Sequence, residues 1–384
     1  MNTKIFTMTH RKFDAPEDQI YIPLHVGRAL TEDLGYLGDD TGESISASNP
    51  YYGELTGVYW VWKNIQDTDI IGICHYRRFF LNKDRELMNQ QEYEAVLKDY
   101  DIMVSNKAQA EECYQNYYAQ AHNVEDLFMV GKVIDEKYPD YSPYFASALA
   151  QKDYYYGNLM VTSRTLFAEY AKWLFTILFE VEQRIDVSSY DLYNRRVFGF
   201  LSEQMLKVWI DKNKLRVYDG TIGILAEKAE TVELKLAMKQ LVKMGEYTQA
   251  TQMFYEYIKL RPDVSLELSD IRGEIPLIEQ LLYIAVTEQQ QGITGLAAYS
   301  NDLNEWIKHF CRVRDCLAHF SIGKIGKADE QYITKNQVSW IMGKVILINA
   351  SKETIPDSSR ALQALYDVYQ KNGNMQACRG LEQG

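Results

Sequence analysis

The sequence predicts an α/β domain over residues 1–228 followed by an all-helical domain over residues 229–384. Two observations predict this. Up to about Lys228, apolar runs of strand length alternate with helix-period segments, as in a parallel or mixed sheet flanked by helices. Beyond that point the strand pattern stops and only helical periodicity remains.

The first strand is expected in "KIFTM". "NPYYGELTGVYWVWKN" reads as one helix, with Asn49 as N-cap, Pro50 in the first helical position and Tyr51, Leu55, Val58, Tyr59 and Trp62 on one face. "DIIGIC" is a second strand, "EYEAVLKDY" a short helix and "YDIMVS" a third strand. Helical, tyrosine-rich sequence follows from Ala108 to Gln151, then a strand in "NLMVTS" and a long helix in "TLFAEYAKWLFTILFEVEQRI". "FGFLSEQMLKVWI" gives another helix and "LRVYD" a last short strand. In the helical part, Gly245, Tyr247, Ala250, Phe254, Tyr257 and Pro262 match the second half of a tetratricopeptide repeat, with a weaker echo in "LYDVYQKNGNMQACRGL".

The 384 residues are 46% hydrophobic, enough for a sizeable core, and carry a net charge of −12. That balance argues against a nucleic-acid partner, because phosphate backbones demand a basic face. Five cysteines without a C-x-x-C pair fit a reducing compartment. The segment "MNTKIFTMTHRKF" lacks an apolar stretch of signal-peptide length, and no run approaches a membrane span. A cytoplasmic protein is expected, with peripheral contact at the inner membrane face left open.

Against this acidic background two basic clusters stand out. Thr9, His10, Arg11 and Lys12 follow "KIFTM", and His75, Tyr76, Arg77 and Arg78 follow "DIIGIC". In open α/β sheets ligands bind outside the carboxyl ends of the strands. If the two strands are parallel neighbours, both clusters lie on one edge. Guanidinium groups grip phosphate oxygens in a bidentate fork, so a local basic island is what a diphosphate ligand requires. Surface ion pairing is the blander reading of an isolated Arg-Arg pair. Of the two arginines, Arg77 is expected to face the cleft, sharing its side with His75.

These segments carry a resemblance. "NPYYGELTGVYWVWKN", "IGICHYRRFF", "YYYGNLMVTSRTLFAEYAKWLFTILFEVEQRI" and "RVFGFLSEQMLKVWI" together resemble a bacterial family of exopolysaccharide and capsule glycosyltransferases, long catalogued as a domain of unknown function. The resemblance runs from about Lys4 to Val217, with "CHYRRFF" as its most specific signature. It implies a GT-A-like, Rossmann-type mixed sheet and transfer of a hexose from a nucleotide sugar. By analogy with glycogenin-like enzymes, His75-Tyr76-Arg77 stands where a metal-binding Asp-x-Asp would be, and Asn158 matches an asparagine that contacts sugar. Imidazole and guanidinium cannot replace two carboxylates around Mg²⁺ or Mn²⁺, so neither metal nor other cofactor is expected. Positive side chains would instead neutralise the leaving diphosphate.

The resemblance also favours Glu203 as the base that deprotonates an acceptor hydroxyl, with Asp191 in reserve; by position alone Glu203 equally suits the helix dipole. His122, Glu125 and Asp126 in "QAHNVEDL" are assigned to the acceptor side on the same grounds. Tyr114, Tyr117, Tyr118, Tyr154, Tyr155 and Tyr156 are candidates for stacking on sugar or uracil rings. Asp67-Thr68-Asp69 is a literal D-x-D at the wrong end of its strand and reads as a turn. "HFCRVRDCLAH" fits no standard zinc spacing, and no P-loop, dinucleotide fingerprint or nucleophile elbow is present.

The expectation is therefore a glycosyltransferase moving a hexose, galactose or galactofuranose by family resemblance, from a UDP-sugar to a glycan acceptor that is lipid-linked. Thr9, His10, Arg11, His75, Tyr76, Arg77 and Arg78 would hold the donor. Asn158, His122, Asp126 and Tyr156 would contact sugar or acceptor. The C-terminal helices would serve a protein partner or self-association. The rival reading is a non-catalytic nucleotide-sugar sensor or scaffold that acts through those helices.

Overall fold

In the computed structural model, residues 1–372 are described apart from Tyr156, Glu267, Thr294 and Gln337. Tyr156, expected near the sugar, therefore lies outside the described residues, as does the end of the second repeat-like segment. The chain divides into two compact units, Met1–Ala226 and Glu227–Gly384.

The first unit is built on the strands β1 (Thr3–Thr9), β2 (Tyr21–His25), β3 (Leu37–Gly38), β4 (Ile70–His75), β5 (Arg78–Leu81), β6 (Ile102–Ser105), β7 (Lys107–Gln109), β8 (Asp153–Tyr155), β9 (Met160–Ser163) and β10 (Val217–Ile224). β1 lies parallel to β2 on one side and to β4 on the other. β9 runs antiparallel between β4 and β6, and β10 joins β6 in parallel and β5 in antiparallel fashion. β7 and β8 form a separate small ribbon.

The central strands are near-continuous apolar runs because both sheet faces are covered. Alternate residues serve different cores. Phe6, Met8, Ile71, Ile73, Ile102 and Val104 pack under the helices Leu55–Asn64, Arg164–Glu182 and Val197–Asn213. Ile5, Ile70, Cys74, Met103 and Val161 face the other way, in a core with Phe79 of β5 and Tyr93 of the helix Gln90–Asp99. That last helix starts from a complete capping box between Asn89 and Glu92.

Two local expectations are corrected. The segment from Asn49 is two helices, Asn49–Tyr52 and Leu55–Asn64, broken where Gly53 takes φ +56°. Asn49 is the first helical residue rather than the cap, and its Nδ2 donates to the Gly53 carbonyl at 2.8 Å, tying the break together. Arg78 to Leu81, expected only to follow the strand in "DIIGIC", form a strand of their own, β5, whose partner β10 lies far away in sequence. The Asp67–Asp69 turn meets β4 at its amino end, where Asp67 pairs with Lys4 at 2.8 Å and Asp69 accepts from the Asn2 amide at 2.8 Å.

The second unit is helical, with the major segments Ala229–Met244, Tyr247–Leu260, Ile275–Gln290, Leu303–Ser321, Trp340–Asn349 and Ser358–Lys371. Gly245, at φ +78°, ends the first of these in the left-handed conformation glycine accepts without penalty. Tyr247, Ala250 and Phe254 are buried in a core that includes Trp306, Phe320 and Tyr369. The histidines of "HFCRVRDCLAH" are engaged: His309 Nδ1 lies 2.9 Å from the Tyr332 hydroxyl, and His319 Nδ1 2.8 Å from Asp329. Among the described residues no group of three or more His, Cys, Asp or Glu is arranged to hold a metal ion. No helix among them is long and apolar enough to cross a membrane.

Candidate active site

The chain moves from β1 to β2 on one side and returns to place β4 on the other, so a topological switch point lies between β1 and β4. Met8 is opposite His75 in this parallel pair, and the Tyr76 amide donates to the Met8 carbonyl at 3.0 Å. The carboxyl ends of both strands, and both basic clusters, therefore share one edge. At the β1 end Thr9 is buried, and its hydroxyl donates to the Arg11 carbonyl at 2.5 Å while accepting from the Arg11 amide at 3.2 Å. That hydroxyl shapes the turn after the strand. His10 is exposed and meets the Tyr76 ring edge-on at 5.4 Å, and Phe13 closes on Tyr76 at 6.1 Å.

After His75 the chain reverses through Tyr76 and Arg77, so that Arg78 stands directly across from His75. Cross-strand partners project to the same face. Arg78, rather than the expected Arg77, is therefore the arginine that shares a side with His75. Arg77 is buried as well, and its carbonyl accepts from Leu225 at 2.9 Å. A side chain at Gly157 would come within 3.3 Å of the Arg78 guanidinium, so the loop before β9 closes over it.

At the centre is a residue the sequence reading passed over, Glu54. It opens the helix Leu55–Asn64, immediately after the break at Gly53. Asn158 Nδ2 donates to its Oε1 at 2.9 Å, and Asn158 Oδ1 accepts from Ser202 Oγ at 3.2 Å. His75 Nε2 lies 3.9 Å from Oε1, and an Arg196 guanidinium nitrogen 3.9 Å from Oε2. Burial alone would raise this carboxyl, but His75, Arg196 and the Asn158 amide together pull it below the usual range. His75 is pushed down to about 4, chiefly by burial; Glu54 opposes that shift and the neighbouring arginines add to it. The imidazole is thus neutral near pH 7.

Glu203 faces the same cluster from the helix Val197–Asn213. From 201 to 210 every other residue of that helix is buried, and only Glu203 is partly open. Burial, aided by the Glu54 charge, raises its carboxyl to about 7 against the pull of Arg78 and Arg196. Two neighbouring carboxyls are thus driven apart. Glu54 holds its charge, and Glu203 exchanges its proton near neutrality.

The remaining candidates form an adjoining patch. His122 stacks on Phe200 at 4.1 Å and lies 3.0 Å from Asn194 Oδ1, and burial lowers its pKa. Asp126 is buried with both oxygens taken by the Tyr190 hydroxyl, at 2.9 and 2.8 Å. Asp191, the reserve base, sits at the start of a turn. Its Oδ1 accepts from the Tyr193 and Asn194 amides and its Oδ2 from the Asn194 side chain, which hold it below the usual carboxylate range. Such a carboxylate is a poor base. Tyr117 and Tyr154 stack at 5.4 Å.

Residues 4–214, more than half of the chain, match the family described as Domain of unknown function (DUF4422). No curated protein matches the sequence. Among solved structures, the WbbM bifunctional glycosyltransferase in its apo form is similar to this chain, with 28% identity and a TM-score of 0.54. The match covers 59% of this chain and 46% of that one, so this chain spans less than half the length of that protein. The mixed α/β architecture is glycosyltransferase-like.

Proposed function

The chain belongs to the DUF4422 family, and from that premise we propose that it is a glycosyltransferase that uses a nucleotide sugar, with a GT-A-like first unit and its active site at the carboxyl edge of β1 and β4. The observation that carries this reading is the meeting of Arg78 and His75 with Glu203 at a topological switch point. The likeness to a glycosyltransferase of known structure supports it.

In this reading Arg78, with Arg77 behind it, receives the donor diphosphate and stabilises the charge that develops as the sugar leaves. His10, Arg11 and Tyr76 border the nucleotide, with the Tyr76 ring offering a face for the base. Glu203, ionised above about pH 7, accepts the proton of the acceptor hydroxyl. The acceptor oxygen bonds to the anomeric carbon as the carbon–phosphate-oxygen bond breaks, and the nucleoside diphosphate departs. One displacement of this kind inverts the anomeric centre. Cationic side chains take the neutralising role, so no divalent metal is required. The His122, Tyr193 and Phe200 patch borders Glu203 on the acceptor side. A UDP-hexose donor, with galactose or galactofuranose as the sugar, and a lipid-linked glycan of a capsule or exopolysaccharide at the inner membrane face follow the family resemblance.

The test is release of UDP from a panel of UDP-sugars, which transferases catalyse slowly without acceptor. Turnover of one donor, lost in Glu203→Gln with donor binding retained, is the expected outcome. Binding without any turnover, with or without glycan acceptors, would leave the non-catalytic sensor reading in its place.

A further inference from the structure

Glu54 and His75 are held, yet they do not hold each other. Their separation of 3.9 Å is beyond hydrogen-bond range. His75 Nε2 is buried and meets no hydrogen-bond partner among the described residues. A buried polar nitrogen left this way costs free energy unless something else satisfies it. One oxygen touching both groups at about 2.8 Å would subtend an angle of about 90°, a geometry open to a hydroxyl that donates to one and accepts from the other. The hydroxyl donates to the carboxylate, and the neutral imidazole, as its Nε2–H tautomer, donates to the hydroxyl oxygen.

The surroundings fix this pair. Glu54 is pinned by Asn158 at 2.9 Å, Asn158 by Ser202 at 3.2 Å, and Arg196 approaches the far carboxylate oxygen at 3.9 Å. Arg78 stands across from His75, so the pair lies next to the site assigned to the diphosphate. A hexose joined to that diphosphate would bring its hydroxyls into reach.

We propose that Glu54, together with His75, is the socket for a hydroxyl of the hexose being transferred, a specificity-determining contact separate from the diphosphate contacts. It rests on the glycosyl-transfer reading above. A site built to hydrogen-bond a substrate hydroxyl discriminates strongly, because an analogue that fails to supply it leaves buried polar groups unpaired.

The test compares binding of UDP with binding of UDP-galactose and UDP-glucose by calorimetry, for the full chain and for Glu54→Gln and Glu54→Asp. Wild type is expected to bind at least one UDP-hexose more tightly than UDP. Both variants should lose about tenfold to a hundredfold of affinity for that donor, the weight of a hydrogen bond to a charged group, while UDP binding is unchanged. Aspartate keeps the charge but withdraws the carboxylate, so it carries the test should the glutamine variant fail to fold. The socket is refuted if a folded variant keeps the wild-type preference for hexose over bare UDP, or loses UDP and UDP-hexose affinity equally. It is refuted too if wild type gains nothing from the hexose. A wild-type protein that binds none of the three ligands would overturn the glycosyl-transfer reading itself.

Discussion

Glu203 carries a stability signature as well as a chemical one. Its carboxyl is raised from an ordinary value of 4.5 to about 7 on folding. The folded protein therefore holds this proton more tightly than the unfolded chain does. The resulting stabilisation is full below about pH 4 and is lost as the pH rises through 7. Glu203→Gln cannot ionise and escapes that loss. Its melting temperature relative to wild type should climb between pH 5 and pH 8, while its transfer rate falls by ~10²–10⁴-fold. A melting difference that stays flat across this range would show that Glu203 is not driven to hold a proton. At this scale the sequence was informative where chemistry announced itself. Glu203 and the His75–Arg78 block are conspicuous because charge interrupts apolar pattern. Glu54 is not, because a glutamate inside a helical pattern looks like any solvated residue. Its one local signal is Gly53: a glycine there permits the positive φ that resets the helix and turns the next side chain inward.

At the scale of elements, the helix Leu55–Asn64 sets the position of Glu54 and depends on close approach to the sheet. Gly57, one turn after Glu54, faces β1 and the end of β2. A methyl group there would meet Met8 Sδ at 2.5 Å and Val26 Cγ1 at 2.7 Å. Gly57→Ala improves helix propensity by about 1 kcal/mol, but overpacking costs about 1–3 kcal/mol. The helix must lift from the sheet and carry Glu54 with it. A lower melting temperature and weaker UDP-hexose binding are expected; a stabilised variant with normal binding would mean that this contact does not set the site. The near-continuous apolar strands β1, β4 and β6 could be read directly because both their faces are covered. β5 was hidden by the arginine pair at its start, of which only Arg78 belongs to the strand, and by a partner, β10, more than a hundred residues away. Arg78 rather than Arg77 faces the cluster for the same reason: the reversal at Tyr76–Arg77 is fixed by non-local pairing, which local pattern does not carry.

For the whole molecule, the change of pattern near Lys228 lies two residues beyond the division between Met1–Ala226 and Glu227–Gly384. Each unit has its own core, and each residue assigned above to the donor lies in the first. A chain ending at residue 226 should then bind UDP-hexose with the affinity of the full chain. A folded truncation that fails to bind would assign the helical unit a part in the donor site. In a chain of net charge −12, an anionic donor depends on the basic edge at the end of β4. The direct measurement is titration of UDP, in EDTA, into wild type and Arg78→Ala. Binding is expected to persist without divalent metal, and the substitution to weaken it about tenfold to a hundredfold, the loss of one charge-assisted contact. Binding that vanishes in EDTA and returns with Mn²⁺, or that ignores the loss of Arg78, would contradict that expectation.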